Sequence, residues 1–321
     1  MMSKATLDII GVTSLGIELE NLRCEAGYVS RPTYTFREAY DILFKPGPLG
    51  SFIHIANMFV PLRSWLPLEA NTSFLNASAD LHNMLRSIIR DRQKSIKKGR
   101  SSDVAGRDLL TFMLEERFDS WSEDEVLGHL TNFLSAGHET SAGTMTWGIW
   151  AMVKQPHLQD KLRAVIMTLP EEYTVAEIDA LPYIDNFIHE TLRMYSPAIW
   201  TPREAIEDMT LAGVMLPKGT LLNLNPHIMN HHPDLWGPTH EVFDPERWET
   251  QKNDVYAFQS FSNGPRICIG KAFAYLELKC LLVALMRKFK WEDTGEAVIA
   301  ESKFVYRPRG GIRVRVSRLN E

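Results

Sequence analysis

Apolar residues recur three and four positions apart through the first two-thirds of the chain. Leu81, Met84, Leu85, Ile88 and Ile89 form one such set and Leu109, Leu110, Met113 and Leu114 another, a spacing that lines one face of an α-helix. Lys94, Lys97, Lys98 and Arg100 close the first of these helices and open a polar loop. Ser122 with Glu125 three positions later forms a capping box, and no proline follows until Pro156. A helix from 122 to about 154 is predicted, on the order of 50 Å long at 1.5 Å per residue. Because it is apolar on most faces, it should be central and buried. Its middle reads Ala136-Gly137-His138-Glu139-Thr140-Ser141, small and polar where packing alone would place large apolar residues. Pro156 and Pro182 sit where helices begin, Thr174 with Glu177 forms a second capping box, and Pro197 halts the helix holding Glu190 and Arg193. After Pro197 the texture changes. A β-like run at 220–224, and Ile312, Val314 and Val316 alternating with outward Arg313 and Arg315, predict small sheets beside a mainly helical body. With no fixed-period repeat, low-complexity tract or linker, a single domain over 1–321 is expected.

Composition narrows the function classes. The 321 residues are 45% hydrophobic and carry a formal charge of −5, whereas a protein that neutralises nucleic-acid phosphates shows a basic excess. Cys24, Cys268 and Cys280 have no C-x-x-C spacing, which argues against a disulfide framework or a tetrathiolate zinc site and for a reducing compartment. The longest apolar stretches are 52–68, broken by Pro61, Arg63 and Pro67, and 281–286, too short for a bilayer. The first residues do not read as a signal peptide, so a soluble chain is expected.

The most informative segment is Phe261-Ser-Asn-Gly-Pro-Arg-Ile-Cys-Ile-Gly270, followed at once by a helical pattern over 271–288. Cys268 lies just before a helix N-terminus, where amides and dipole favour a thiolate, and Gly264 and Gly270 leave room for a flat, bulky group. A thiolate so placed suits iron, and Arg266 can pair with a carboxylate of the bound group. The blander reading is a buried core cysteine.

Phe261-x-x-Gly264-x-Arg266-x-Cys268-x-Gly270 resembles the haem-binding signature of the cytochrome P450 family at every defining position. Glu190-x-x-Arg193, Phe243-Asp-Pro-Glu-Arg247-Trp248 and Ala136-Gly137-His138-Glu139-Thr140 resemble the family's other motifs, in the family's order. The resemblance runs over essentially the whole chain, down to a helix at 5–11 upstream of the long one. It implies a mainly α fold with small β-sheets. Its cofactor would be haem (iron protoporphyrin IX), with the Cys268 thiolate as axial iron ligand. Phe261, Gly264, Gly270, Ala136 and Gly137 would lie around the haem, and Arg266 and Arg203 would face its propionates. In the family, Glu190, Arg193 and Arg247 form a buried structural triad, and the groove holding Glu139 and Thr140 binds oxygen and relays protons. His138 reads as a neutral spacer, since thiolate supplies the axial position. Asn132, Phe133, Ser135, Ala198, Ile199, Trp200, Phe304 and Val305 are the candidate substrate-pocket residues.

The implied activity is insertion of one atom of dioxygen into an apolar small molecule, in secondary metabolism. Electrons would come from NADPH through NADPH-cytochrome P450 reductase, at the endoplasmic reticulum surface. The family's N-terminal helices, first sheet and Trp-x-x-x-Arg helix have no counterpart here, so the chain reads as the C-terminal part of the fold. The alternatives are a truncated remnant that binds haem weakly or not at all, and a haem-thiolate isomerase or dehydratase, against which the Glu139-Thr140 pair argues. Competing motifs fail on inspection. His138-Glu139 meets Ala142, and His189-Glu190 meets Arg193, where a zinc protease needs its second histidine. His227, His231, His232 and His240 cluster between prolines that deny them one helix face. No G-x-G-x-x-G, phosphate loop or G-x-S-x-G is present.

Overall fold

Residues that apolar spacing assigns to one helix face are buried together in a computed structural model of the protein. It describes residues 2–319 other than 20–21, 25–33, 45–46, 58–59, 62–64, 66–67, 99–107, 118–119, 252–253 and 303–304. The chain divides into two units, Ser3–His138 and Glu139–Glu321.

The first unit holds α1 (Met2–Leu15), α2 (Phe36–Phe44), α3 (Pro48–Ala56), α4 (Glu69–Lys97), α5 (Leu109–Arg117) and the first half of α6 (Glu123–Lys154). The Ser122 box starts α6: the Glu125 amide donates to Ser122 Oγ at 3.2 Å, and the Ser122 amide donates to Glu125 Oε2 at 2.7 Å. A further box starts α2, where Thr35 and Glu38 make the same reciprocal bonds; the Thr-x-x-Glu spacing was readable and is missing from the expected starts. α2 and α5 pack on α4. The core is Leu7, Phe36, Tyr40, Leu85, Ile89, Leu110 and Leu130, all fully buried. Arg92 ties the loops together, pairing with Asp108 and donating to the Leu15 carbonyl at 3.0 Å.

The second unit holds the rest of α6, then α7 (Pro156–Ile166), α8 (Val175–Asp179), α9 (Pro182–Met194), α10 (Pro226–Asn230), α11 (Pro233–Trp236), α12 (Arg247–Thr250) and α13 (Lys271–Lys288). Prolines open α7, α9, α10 and α11, where the missing amide costs no hydrogen bond. Ile149, Met152, Leu162, Ile184, Phe187, Leu282 and Met286 build its core. Among the described residues, four two-stranded antiparallel sheets complete it. β1 (Thr201–Glu204) pairs with β4 (Leu221–Leu224), and β2 (Met209–Leu211) with β3 (Val214–Leu216). β5 (Phe289–Asp293) pairs with β8 (Val314–Arg318), and β6 (Ala300–Ser302) with β7 (Tyr306–Pro308). Ile312 and Val314 pack on the core, but Val316, expected on the same face, is largely exposed. In the β5–β8 register Val316 stands mid-strand opposite Trp291, and it is the larger Trp291 side chain that is buried. Among the described residues no helix is long and apolar enough to cross a membrane.

Glu277 on α13 is buried, and burial pushes its carboxyl up to about 7 against the opposing pull of the Ser141 hydroxyl. The folded chain therefore keeps a proton that the unfolded chain loses above about 4.5. Stability falls as pH rises from about 4.5 to about 7, by roughly 3 kcal/mol at full extent. Urea unfolding across that range should show the fall, and Glu277→Gln should flatten it.

Candidate functional site

Cys268 is exposed at the end of a loop pinned at both ends. Its amide donates to the Phe261 carbonyl at 2.8 Å, closing the loop on itself, and the Phe261 ring lies 5.2 Å from the Tyr275 ring of α13. Asn263 Nδ2 donates to the carbonyls of Val255 and Phe258 at 3.2 and 3.3 Å. Gly264 has φ +70° with open space where a Cβ would stand, a conformation L side chains rarely adopt. The carbonyl of Cys268 accepts from the Lys271 amide at 3.3 Å, so the cysteine is fastened to the first turn of α13. The sulfur is thus held out by main-chain bonds. Ile267 and Ile269 beside it are 45% and 87% exposed, an apolar flank facing outward.

Arg266 shares a cavity of about 550 Å³ with Arg203 of β1, together with Asn223, Tyr256 and Asn263. Two guanidiniums from separate elements over one cavity suit a ligand with two carboxylates.

The loop rests on a buried ionic centre. Glu190 and Arg193, one turn apart on α9, are both fully buried and joined twice, Nε to Oε2 at 2.9 Å and Nη2 to Oε1 at 2.8 Å. Arg247 Nε donates to Glu190 Oε1 at 3.2 Å, Trp248 Nε1 to Oε2 at 3.0 Å and the Asp244 amide to Oε1 at 2.9 Å. Arg193 also donates to the carbonyls of Asn230, His240 and Val242. Buried charges persist when paired and hydrogen-bonded in this way. Two residues that the sequence reading missed carry the link onward. Asn230, fully buried, donates through Nδ2 to Ser260 Oγ at 2.8 Å, and Ser260 donates to the Leu192 carbonyl at 2.8 Å, one residue before Phe261. Only the polar Asn-x-x-x run at a helix end hinted at Asn230, and nothing local singled out Ser260.

In the first unit, Asn132 and Ala136 lie on the exposed face of α6. Phe133 lies elsewhere, with its ring 6.4 Å from that of His129, and Ser135 Oγ donates to the Asn132 carbonyl. At Gly137 a Cβ would come within 2.9 Å of Ile10 Cδ1, so the approach of α1 leaves no room for a side chain there. His138 is fully buried, 2.9 Å from Ser3 Oγ through Nε2 and edge-on to Tyr40. In the second unit, Thr140 is half-buried and Glu139 is buried, its Oε2 accepting from Arg307 Nη1 at 2.9 Å.

The remaining pocket residues scatter. Trp200 is 56% exposed, so it is not core; Ala198 is exposed and Ile199 half-buried. Val305 is buried against Gly143 of α6, and Phe304 lies outside the described residues. His227 and His231 lie ring to ring at 4.4 Å. His231 lies between the Met194 carbonyl, 3.1 Å from Nε2, and the Glu241 carboxylate, 3.4 Å from Nδ1. Among the described residues no group of three or more His, Cys, Asp or Glu side chains is placed to hold a metal ion.

An exposed thiol at a helix start, an outward apolar flank and two arginines over one cavity fit a flat iron porphyrin bearing carboxylates. The cytochrome P450 family model matches residues 1–314. Cytochrome P450 monooxygenase sphH of Aspergillus fumigatus is 32% identical over 90% of this chain and 55% of its own length. Cytochrome P450 monooxygenase FUM15 of Gibberella moniliformis is 28% identical over 98% of this chain and 61% of its own. The chain thus spans a little over half the length of these curated relatives. The crystal structure of the cytochrome P450DA heme domain superposes with a TM-score of 0.80, at 22% identity, over 99% of this chain and 67% of that one, a likeness of fold. With four motifs in order, a cysteine loop of this geometry and a family match over nearly its whole length, the chain belongs to the cytochrome P450 family.

Proposed function

We propose that the chain carries the haem-thiolate part of a monooxygenase that places one atom of dioxygen into an apolar small molecule. Electrons come from NADPH through a partner reductase. The observation that supports this most is the exposed Cys268 sulfur, held out by the Phe261 and Lys271 main-chain bonds beside outward-facing isoleucines. Haem, when bound, supplies the activation of dioxygen. The Cys268 thiolate would hold its iron, and Arg266 and Arg203 would pair with its carboxylates. Phe261 and Gly264 shape the loop, and Gly270, where a Cβ would stand 3.9 Å from the Cys268 sulfur, keeps that sulfur clear. Ala136 keeps its helix face low, while Gly137 lets α1 approach behind it. Glu139 takes protons on its carboxylate and Thr140 passes them on through its hydroxyl. Ala198, exposed in the structure, and Ile199 and Trp200 contribute apolar contacts to substrate.

The test is spectral. Protein expressed with haem supply, reduced and exposed to carbon monoxide should show a thiolate-type Soret band; a colourless protein would overturn the reading. Thr140→Ala should keep that band while diverting reducing equivalents to peroxide, with a loss of coupling of the order of the 10²-fold that a positioned proton donor contributes. Unchanged peroxide yield per NADPH consumed would exclude the relay.

A further inference from the structure

The segment 305–307 crosses α6 along one stripe. Glu139, Gly143 and Trp147 stand four residues apart, and so share a face of the helix. At Gly143 a Cβ would stand 3.6 Å from Val305 Cγ1 and 3.7 Å from the Tyr306 carbonyl, ordinary van der Waals distances, so the strap lies against the helix there. One turn on, Trp147 Nε1 donates to that same carbonyl at 3.3 Å. One turn back, Arg307 Nη1 donates to Glu139 Oε2 at 2.9 Å. The Tyr306 amide donates to the Pro197 carbonyl at 2.9 Å, and Val305 is buried. The strap is therefore fastened at three places that do not involve Arg307.

Arg307 has a second acidic partner. The β6–β7 register sets Glu301 directly opposite it, with Arg307 Nε donating to Glu301 Oε1 at 3.2 Å and Arg309 Nε 3.6 Å from Glu301 Oε2. Two carboxylates and two guanidiniums thus form a cluster of zero net charge, in which Glu139 and Glu301 are mostly buried. A guanidinium offers five donors in a rigid fork, enough to serve both acids at once.

We propose that Arg307 is the positioning residue for Glu139. It holds the carboxylate at one place on α6, with Glu301 as the partner that retains the guanidinium whenever Glu139 takes up a proton. This rests on the monooxygenase reading. The step is a proton transfer from solvent water to a Glu139 oxygen and onward, and no electron moves. Without Glu301 each protonation would strand a half-buried cation, the costly state for such a group. With it, Glu139 gains and loses its proton while the strap stays in place.

The test uses the full-length haem-loaded protein with a reductase. Arg307→Gln should keep the carbon monoxide band, lower the rate of NADPH consumption under air at least threefold, and enlarge the slowing seen in heavy water. Arg307→Lys should recover at least half of the rate. In a Glu139→Gln background, Arg307→Gln should add nothing. Glu301→Gln should slow the rate in the same direction as Arg307→Gln. Independently of turnover, the carboxylate infrared band that vanishes in Glu139→Gln should shift in Arg307→Gln and return toward its parent position in Arg307→Lys. An unmoved infrared band, an unchanged rate and isotope effect with haem bound, or additive effects in the double variant would overturn the proposal. Absence of the carbon monoxide band in the parent would overturn the monooxygenase reading, and the infrared shift would still decide whether Arg307 holds Glu139.

Discussion

Cys268→Ala abolishes the thiolate-type Soret band of the reduced carbon monoxide complex while leaving the far-ultraviolet circular dichroism of the protein unchanged. The expectation follows from how the residue is held. The bonds that shape its loop are main-chain bonds, the Cys268 amide to the Phe261 carbonyl and the Lys271 amide to the Cys268 carbonyl, and alanine keeps both. The side chain is exposed and its sulfur touches little. Losing it should alter stability by no more than about 0.5 kcal/mol, as for other surface positions. The axial ligand, by contrast, sets the electronic character of a bound haem. Cys268→His sharpens the test: it offers nitrogen in place of sulfur and should give an imidazole-type spectrum if that side chain reaches iron. A thiolate-type band surviving in either variant would remove Cys268 from the site.

Glu190→Ala is expected to destabilise the protein by about 3–5 kcal/mol, the range measured when one member of a buried ion pair is deleted. A typical domain has about 5–15 kcal/mol in all, so much of the chain should be found insoluble or unfolded. Glu190 accepts from Arg193, Arg247, Trp248 and the Asp244 amide, and alanine would leave two guanidiniums buried without a counter-charge. Arg193→Lys should be nearly as damaging, because an ammonium cannot join Glu190 twice and also reach the carbonyls of Asn230, His240 and Val242. The Asn230–Ser260 link ends one residue short of Phe261, so haem retention should fall along with stability. Urea unfolding and haem content measured on the same samples test both. A Glu190→Ala protein within 1 kcal/mol of the parent would mean that the centre is not a structural keystone.

Features set by neighbours in the chain are legible in the sequence, because the physics that forms them is local. A capping box joins groups three residues apart, and a proline acts on its own turn, so the starts of α6, α7, α8 and α9 follow from neighbours in the chain. The cysteine loop is legible for the same reason: its glycines, arginine and cysteine fall within ten consecutive residues. Its outward sulfur depends on a hydrogen bond spanning only seven positions.

By itself, the sequence determined the helical body with minor strands, the long helix with its small and polar middle, and the family to which the chain belongs. Tertiary structure alone decided which neighbours those residues meet. It turned the bare side of Gly137 toward Ile10, placed His138 in a core with Tyr40, and put Arg307 against Glu139 across 168 residues of chain. A carboxylate and a guanidinium that far apart share no periodicity and no spacing. Their meeting depends on how a two-stranded ribbon docks on a helix, and that follows from the packing of Val305, Gly143 and Trp147 rather than from any local preference of Arg307.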